Sequence, residues 1–235
     1  MARGPVGVVL GMLVAAACGL AQSPSYADSH TGAQIVSDAS AAMSKAGSYH
    51  MKLKGNFTNG IASADIDVEG ISYRGTIGAA GQSVRIIVVN GDTFVYGSDF
   101  AAVLDATNSQ AAAVIRSKAN DRWLHLPAGS GGPALTDIID LNSIGSCLKE
   151  AAGLIKKGAT SVDGKAVVEV DDLAGSKLDI ATSSPHYPIR LDFTSAEACM
   201  GSDVQNETLD FSQFGTAYHI QAPPGFIDLT TLLGG

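Results

Sequence analysis

The sequence lacks the short motifs that mark most catalytic and metal sites. None of its five histidines lies two, three or four residues from another, so His-x-His and HExxH metal motifs are absent. No Gly-x-Ser-x-Gly elbow is present, and the glycines of 75–81 lie between predicted strands instead of opening a helix. The pattern predicts a protein that is not an enzyme and needs no cofactor or metal; a hydrolase is a remote alternative.

Positive charge is also scarce. The 235 residues include 15 Lys and Arg against 23 Asp and Glu, which gives a net charge of −8, and no polybasic stretch occurs. A nucleic-acid-binding protein needs clustered cations to displace counterions from phosphates, so nucleic acid is excluded as a partner. Electrostatic docking on anionic lipid is equally disfavoured, and any membrane attachment would depend on a lipid anchor or a partner protein.

The N-terminus has the pattern of a signal peptide. Arg3 precedes an apolar stretch over 6–17 that is too short to span a bilayer and that no amphipathic pattern interrupts. We expect residues 1–27 to be removed and 28–235 to form a single extracytoplasmic domain.

Two processing sites compete within this leader. The run 13–19 is similar to a bacterial lipobox and would make Cys18 the lipidated first residue, although Ala15 replaces the usual bulky aliphatic residue. The run 25–27 is a small-x-small site, and cleavage there would leave Asp28 first. The protein is therefore expected either on the cell membrane through a lipid anchor or secreted into the cell envelope.

Cysteine is rare, and two of the three residues lie beyond the leader. Neither belongs to a CxxC or zinc-like pattern. Because an oxidising compartment favours pairing, we expect a disulfide between Cys147 and Cys199 that ties a mid-chain helix to the loop after the strand 189–193. Two unpaired buried thiols are the alternative.

Alternation of apolar and polar residues dominates the remainder of the chain. Helical spacing predicts a helix over 32–46 that ends at Gly47, a second over 99–118, and one or two more over 134–157. Period-two alternation predicts about ten strands, at 49–57, 61–69, 71–77, 84–89, 93–96, 122–126, 166–170, 177–180, 189–193, 209–211 and 218–220. These strands form a mostly antiparallel sheet, and a sheet that long must curl.

The sharpest local signal is a hairpin whose turn lies within Asn90-Gly91-Asp92. Parity places one set of side chains on each face of this hairpin: Val84, Ile86, Val88 and Val95 on the first, and Arg85, Ile87, Val89, Phe94 and Tyr96 on the second. Both faces are largely apolar. An antiparallel sheet with one face in water usually alternates more cleanly, so we expect both sides of the hairpin to be covered.

The order of elements resembles a known superfamily. Three stretches carry the likeness: the small-residue helix leading into 47–50; the segment Trp123-Leu124-His125-Leu126-Pro127; and the closing runs 187–193, 209–215 and 221–224, with a Ser-x-Phe-Gly and Ala-Pro ending. Together they resemble the LolA-like superfamily, and within it the actinobacterial envelope lipoproteins of the LppX, LprA, LprF and LprG type.

The resemblance implies an α+β fold that is mainly antiparallel β: an incomplete, half-open β-barrel wrapped over helices. It also implies an apolar cavity that binds the acyl chains of lipids or lipoglycans and carries them through the envelope. The alternative within the same fold is an envelope sensor or scaffold that binds a protein partner without carrying lipid.

Alternation predicts which residues line such a cavity. Polar neighbours such as Lys52, Arg85, Asp179, Arg190 and Asp192 need water, so the apolar residues between them face the concave side. The predicted lining residues are Met51, Leu53, Phe57, Val84, Ile86, Val88, Val95, Leu178, Ile180, Ile189, Leu191 and Phe193. An ordinary core filled by the helices is the competing interpretation.

Overall fold

The computed structural model describes residues 25–55, 61–79, 81–126, 153–172, 175–193 and 207–234. The leader up to residue 24, Cys18, Cys147, Cys199 and Phe57 lie outside these ranges. The lipidation at Cys18 and the disulfide therefore stay predictions, whereas the second predicted processing site, 25–27, lies within the described ranges.

Within the described ranges the chain forms five helices and twelve strands. The helices are α1 (Tyr26–Ser29), α2 (Gly32–Ala46), α3 (Gly97–Leu104), α4 (Ser109–Ala119) and α5 (Leu229–Leu233). The strands are β1 (Ser48–Lys54), β2 (Ile61–Glu69), β3 (Ser72–Ala79), β4 (Gln82–Val89), β5 (Asp92–Tyr96), β6 (Trp123–Leu126), β7 (Ile155–Val162), β8 (Lys165–Asp171), β9 (Lys177–Ala181), β10 (Pro188–Phe193), β11 (Glu207–Ser212) and β12 (Ile227–Asp228).

All twelve strands belong to one open sheet. Their order is β12-β6-β5-β4-β3-β2-β1-β11-β10-β9-β8-β7, so β12 and β7 stand at opposite ends and do not pair with each other. Every pairing is antiparallel except that of β12 with β6. The chain thus runs as two meanders, β1 to β6 and β7 to β11, joined where β1 pairs with β11. The predicted fold class, an unclosed and mainly antiparallel sheet with helices, is confirmed.

The turn between β4 and β5 is centred on Asn90 and Gly91. Both residues have left-handed φ values, 52° and 92°, and Val89 pairs with Asp92 across them. This is the turn geometry that matches the right-handed twist of a hairpin. The register places Val95 opposite Ile86, and Val84, Ile86, Val88 and Val95 are all buried on one side, as alternation predicted.

Helix α2 begins and ends where the sequence places it. Thr31 and Gln34 form a reciprocal capping box at its start, and Gly47 ends it with a φ of 69°. Its buried side, which includes Ile35, Val36 and Met43, packs against β1, β9 and β10.

The predicted helix 99–118 is wrong as one element, because the chain breaks it at 105–108. Asn108 starts a new helix there, and its side chain accepts a hydrogen bond from the Ala111 N–H at 3.0 Å. An Asn at this position offers the backbone a cap that a continuous helix does not use.

Two other predicted boundaries are also wrong. The helical pattern over 134–157 included residues 155–157, which are the start of β7. The predicted strand 218–220 is irregular: Tyr218 and Ile220 are buried, but His219 has a φ of 52°, and the N–H of Ile220 donates to the Glu69 carboxylate at 3.2 Å. Burial alternates there without strand pairing, and the last strand is β12.

Candidate functional site

The candidate site is the side of the sheet that faces the helices, which we call the core face. All predicted lining residues except Phe57 fall in the described ranges, and each is at most 8% exposed. All of these except Ile189 belong to one apolar cluster. Ile189 lies where the register of β10 against β9 shifts, and it is buried outside that cluster.

Helices cover both halves of the core face. Helix α2 lies over β1, β9 and β10, whereas α3 contacts β4 and β5, and α5 contacts β6 and α4. Small side chains such as Ala101, Ala112 and Ala119 let α3 and α4 approach closely, and Ile115 enters the same cluster. The site is therefore an apolar layer between one sheet and several short helices.

The predicted lining residues are about a third of this layer. The strand residues that sequence reasoning left out share the inward parity of strands that were correctly predicted: Ala64, Ile66 and Val68 on β2, Tyr73 and Ile77 on β3, Val168 and Val170 on β8, and Leu209 and Phe211 on β11. The same period-two rule that selected Met51 and Leu53 would have found them. Helical spacing marked the apolar side of α2, but α3 and α4 gave no comparable signal, because which side of those helices is buried depends on their place in the fold.

The opposite side of the sheet, the outer face, is a ladder of paired charges. Lys52 lies 3.4 Å from Asp65, and His50 contacts the same carboxylate at 3.3 Å. Arg190 pairs with Asp210 at 2.6 Å, and Arg85 grips Asp99 on α3 at 2.7 and 2.9 Å. The contacts of Lys52 and Arg190 join side chains of neighbouring strands, so these two polar neighbours of the lining residues point away from the core face, whereas Arg85 contacts a helix.

Asp179 departs from this exposed pattern. It is on the outer face, opposite Glu169 and Arg190, yet it is only 5% exposed and one of its oxygens has no hydrogen-bond partner among the described residues. Burial, together with the charges of Glu169 and Asp192, raises its pKa to about 6.

Two shallow grooves lie mainly on the outer face. One, of about 510 Å³, is lined by charged groups that include His50, Asp67 and Arg74, with Trp123 at one side. The other, of about 550 Å³, lies over the ends of β1 to β4 near Lys54 and Gln82. In the first groove His50 and Arg74 pair with Asp67, and in the second Lys52 pairs with Asp65.

The core face also holds a buried acid, Glu207. Glu207 opens β11 opposite Phe193, is 1% exposed, and neither carboxyl oxygen has a hydrogen-bond partner among the described residues. Burial raises its pKa to about 8. Its inward position follows from the parity of β11, but sequence reasoning missed it because that strand was predicted to begin at residue 209.

The described part of the chain contains neither a metal-binding group nor a membrane-spanning helix. Nowhere in it do three or more His, Cys, Asp or Glu side chains come together as a metal-binding group. None of its helices combines the length and the apolar character needed to cross a bilayer.

No protein-family model matches the sequence, and no curated protein is similar to it in sequence. Solved structures do match. LprF from Mycobacterium bovis has 16% identity and a TM-score of 0.58, over 83% of this chain and 97% of that one. The Mycobacterium tuberculosis lipoprotein LppX has 16% identity and a TM-score of 0.54, over 81% and 98%. The chain therefore has the open half-barrel fold of LprF and LppX.

Proposed function

We propose that this protein is an exported, non-enzymatic envelope protein that binds the acyl chains of lipids on its core face, as a carrier or chaperone. The observation that supports it is the continuous aliphatic layer, in which residues such as Val88 and Leu191 make no hydrogen-bonding demand. Removing an acyl chain from water contributes about 0.8 kcal/mol per methylene, so ~15 methylenes supply roughly 12 kcal/mol. A lining of this kind imitates a bilayer interior, which suits both loading and release.

The direct test is mass spectrometry of organic extracts from the protein purified from its native envelope. A lipid present in stoichiometric amount supports the proposal. Protein that carries no lipid, and that takes up neither a fluorescent fatty acid nor a lipid probe, would refute it.

Tryptophan at Val88 or at Leu191 is expected to abolish lipid retention. The indole would fill the space between sheet and helices, since both side chains lie on the core face and are almost fully buried. The matched control is Ile87→Trp, which adds the same bulk on the outer face next to Val88. Lipid per protein would be measured after extraction, and circular dichroism would check the fold. Retention by folded Val88→Trp and Leu191→Trp proteins equal to that of the control would contradict the prediction.

A partner-binding module is the second candidate. The described lining residues are at most 8% exposed, and all of them except Ile189 pack into one cluster; a filled interior of this kind would favour a sensor or scaffold. Absence of lipid together with stable capture of an envelope protein would favour this alternative.

The first described residues make contacts that bear on the processing site. The Tyr26 ring stacks on His186 with centroids 3.7 Å apart, and its hydroxyl donates to Asp38 at 3.0 Å. Ala27 is buried in the core cluster, and Lys156 on β7 donates to its carbonyl oxygen. Cleavage after Ala27 would remove these contacts, so we propose processing upstream of Ser25, as lipidation at Cys18 requires.

The mature N-terminus is accordingly expected before Ser25. Intact-mass measurement of envelope-derived protein would show a diacylated chain that starts at Cys18. Whether the Tyr26 contacts stabilise the fold can be tested separately. Tyr26→Ala should lower the melting temperature, because it removes both the stack on His186 and the hydrogen bond to Asp38. A mature chain that starts at Asp28, or one that keeps Met1, would contradict upstream processing.

A further inference from the structure

Glu207 occupies a position that alternation reserves for apolar side chains. Along β11, Glu207, Leu209 and Phe211 are buried toward the core face, while Asp210 between them pairs with Arg190 on the outer face. The neighbour of Glu207 on β10 is Phe193, which belongs to the apolar cluster. The carboxyl group therefore lies at the end of the apolar layer and not in the charge ladder.

The space around this side chain is made for it. A Cβ added to Gly55, just beyond the end of β1, would overlap Cγ of Glu207 and lie 3.0 Å from its Cβ and Cδ. The absence of a side chain at residue 55 thus leaves room for the glutamate. The side chain of Glu207 therefore fits this space, but the described residues offer its oxygens no hydrogen-bond donor or acceptor.

Packing does not account for an acid at this place. A leucine of similar volume would fill the position without any desolvation penalty, whereas a buried carboxyl with no partner is one of the expensive features of a folded chain. Buried polar groups in native proteins nearly always have partners. A partner that arrives with the ligand resolves the conflict.

We propose that Glu207 is the polar contact of the lipid site. It hydrogen-bonds the ester that links an acyl chain to its headgroup, or a hydroxyl group beside that ester. This deepens the proposed function and rests on it. Burial holds the carboxyl in its protonated form at neutral pH, where it offers one O–H donor and a carbonyl acceptor. That pair matches a glycerol ester with a free hydroxyl and provides no countercharge for a lipid carboxylate, so neutral acylglycerols are the favoured ligand class.

Two probes separate the polar contact from the apolar site. The probes are 1-monopalmitoylglycerol and the uncharged dye N-phenyl-1-naphthylamine, titrated into the delipidated full mature chain. Glu207→Leu is expected to weaken monopalmitoylglycerol binding by about tenfold and to leave dye affinity within about twofold. Glu207→Gln, which still donates and accepts, should lose no more than about threefold. Glu207→Met serves if leucine is not accommodated, and Asp210→Asn on the outer face of the same strand is the matched control.

The possible failures differ in what they refute. If Glu207→Leu binds both probes as the wild type does, the role of Glu207 is refuted and the acyl-binding site stands. If the wild type binds neither probe, both the role of Glu207 and the proposed carrier function are wrong.

Discussion

Replacing Gly75 with alanine is expected to lower the free energy of unfolding by about 3 kcal/mol. Gly75 lies mid-strand in β3, between Ile66 on β2 and Ile86 on β4. An added Cβ would overlap the carbonyl oxygen of Asp65 and lie 2.8 Å from Cα of Ile66. Both are backbone atoms of a strand paired on either side, so neither moves cheaply, and the φ of 156° is one that residues with side chains rarely adopt.

Gly78 in the same strand provides the matched control. Its added Cβ would overlap the Ser63 hydroxyl, which is a rotatable side-chain atom on the outer face. Urea denaturation of Gly78→Ala should show a loss of no more than about 1 kcal/mol. Equal losses for the two variants would mean that the close approach of β2 and β3 at Gly75 does not govern stability.

Local chemistry made the sheet predictable. The hairpin at Asn90-Gly91 is specified by two residues that tolerate left-handed φ, and the turn at Asp163-Gly164 works in the same way, with φ values of 49° and 77°. Between such turns, period two fixes which side chains face inward. The strands, their hairpin pairings and the inward position of Met51 or Val88 therefore follow from neighbouring residues, whereas the pairing of β1 with β11 does not.

The misses have a different physical origin. Strand β12 pairs in parallel with β6, about a hundred residues earlier, and His125 and Asp228 meet there at 2.6 Å. Nothing near residue 228 in the sequence indicates that partner. Tyr218 and Ile220 show the opposite error, a strand that was predicted but does not form. Both side chains are buried although the segment is a loop, so alternating burial alone does not identify a strand.

The candidate site was only partly predictable for the same reason. The inward residues of its strands follow from parity, but the helices that cover the core face are placed by packing between distant segments. An acid such as Glu207 within a row of apolar residues is normally predicted to be exposed. The structure starts β11 at Glu207, which gives this residue the inward parity of Leu209 and Phe211 and places it opposite Phe193. The residue with the most specific chemistry in the layer was therefore the least visible in the sequence.

Glu207→Leu is expected to stabilise the ligand-free protein by about 4 kcal/mol at pH 7.5, because leucine removes a buried carboxyl that has no hydrogen-bond partner among the described residues and whose pKa is shifted on folding. The native pKa of Glu207 is raised to about 8, above the ordinary value of 4.5. Below about pH 4.5 both the folded and the unfolded chain hold the proton. As pH rises from there to about 8, the unfolded chain loses it first, so the stability of the wild type falls.

The difference in stability between Glu207→Leu and wild type should therefore widen from pH 4.5 to pH 8 and level off above it. Melting temperatures at several pH values measure this difference, with about 2–4 °C expected per kcal/mol for a chain of this size. Glu207→Gln removes the titration but keeps a polar group, so it should share the loss of pH dependence and gain less stability than leucine. A constant offset between wild type and Glu207→Leu across this range would show that the carboxyl ionises normally in the folded protein and is accessible to water.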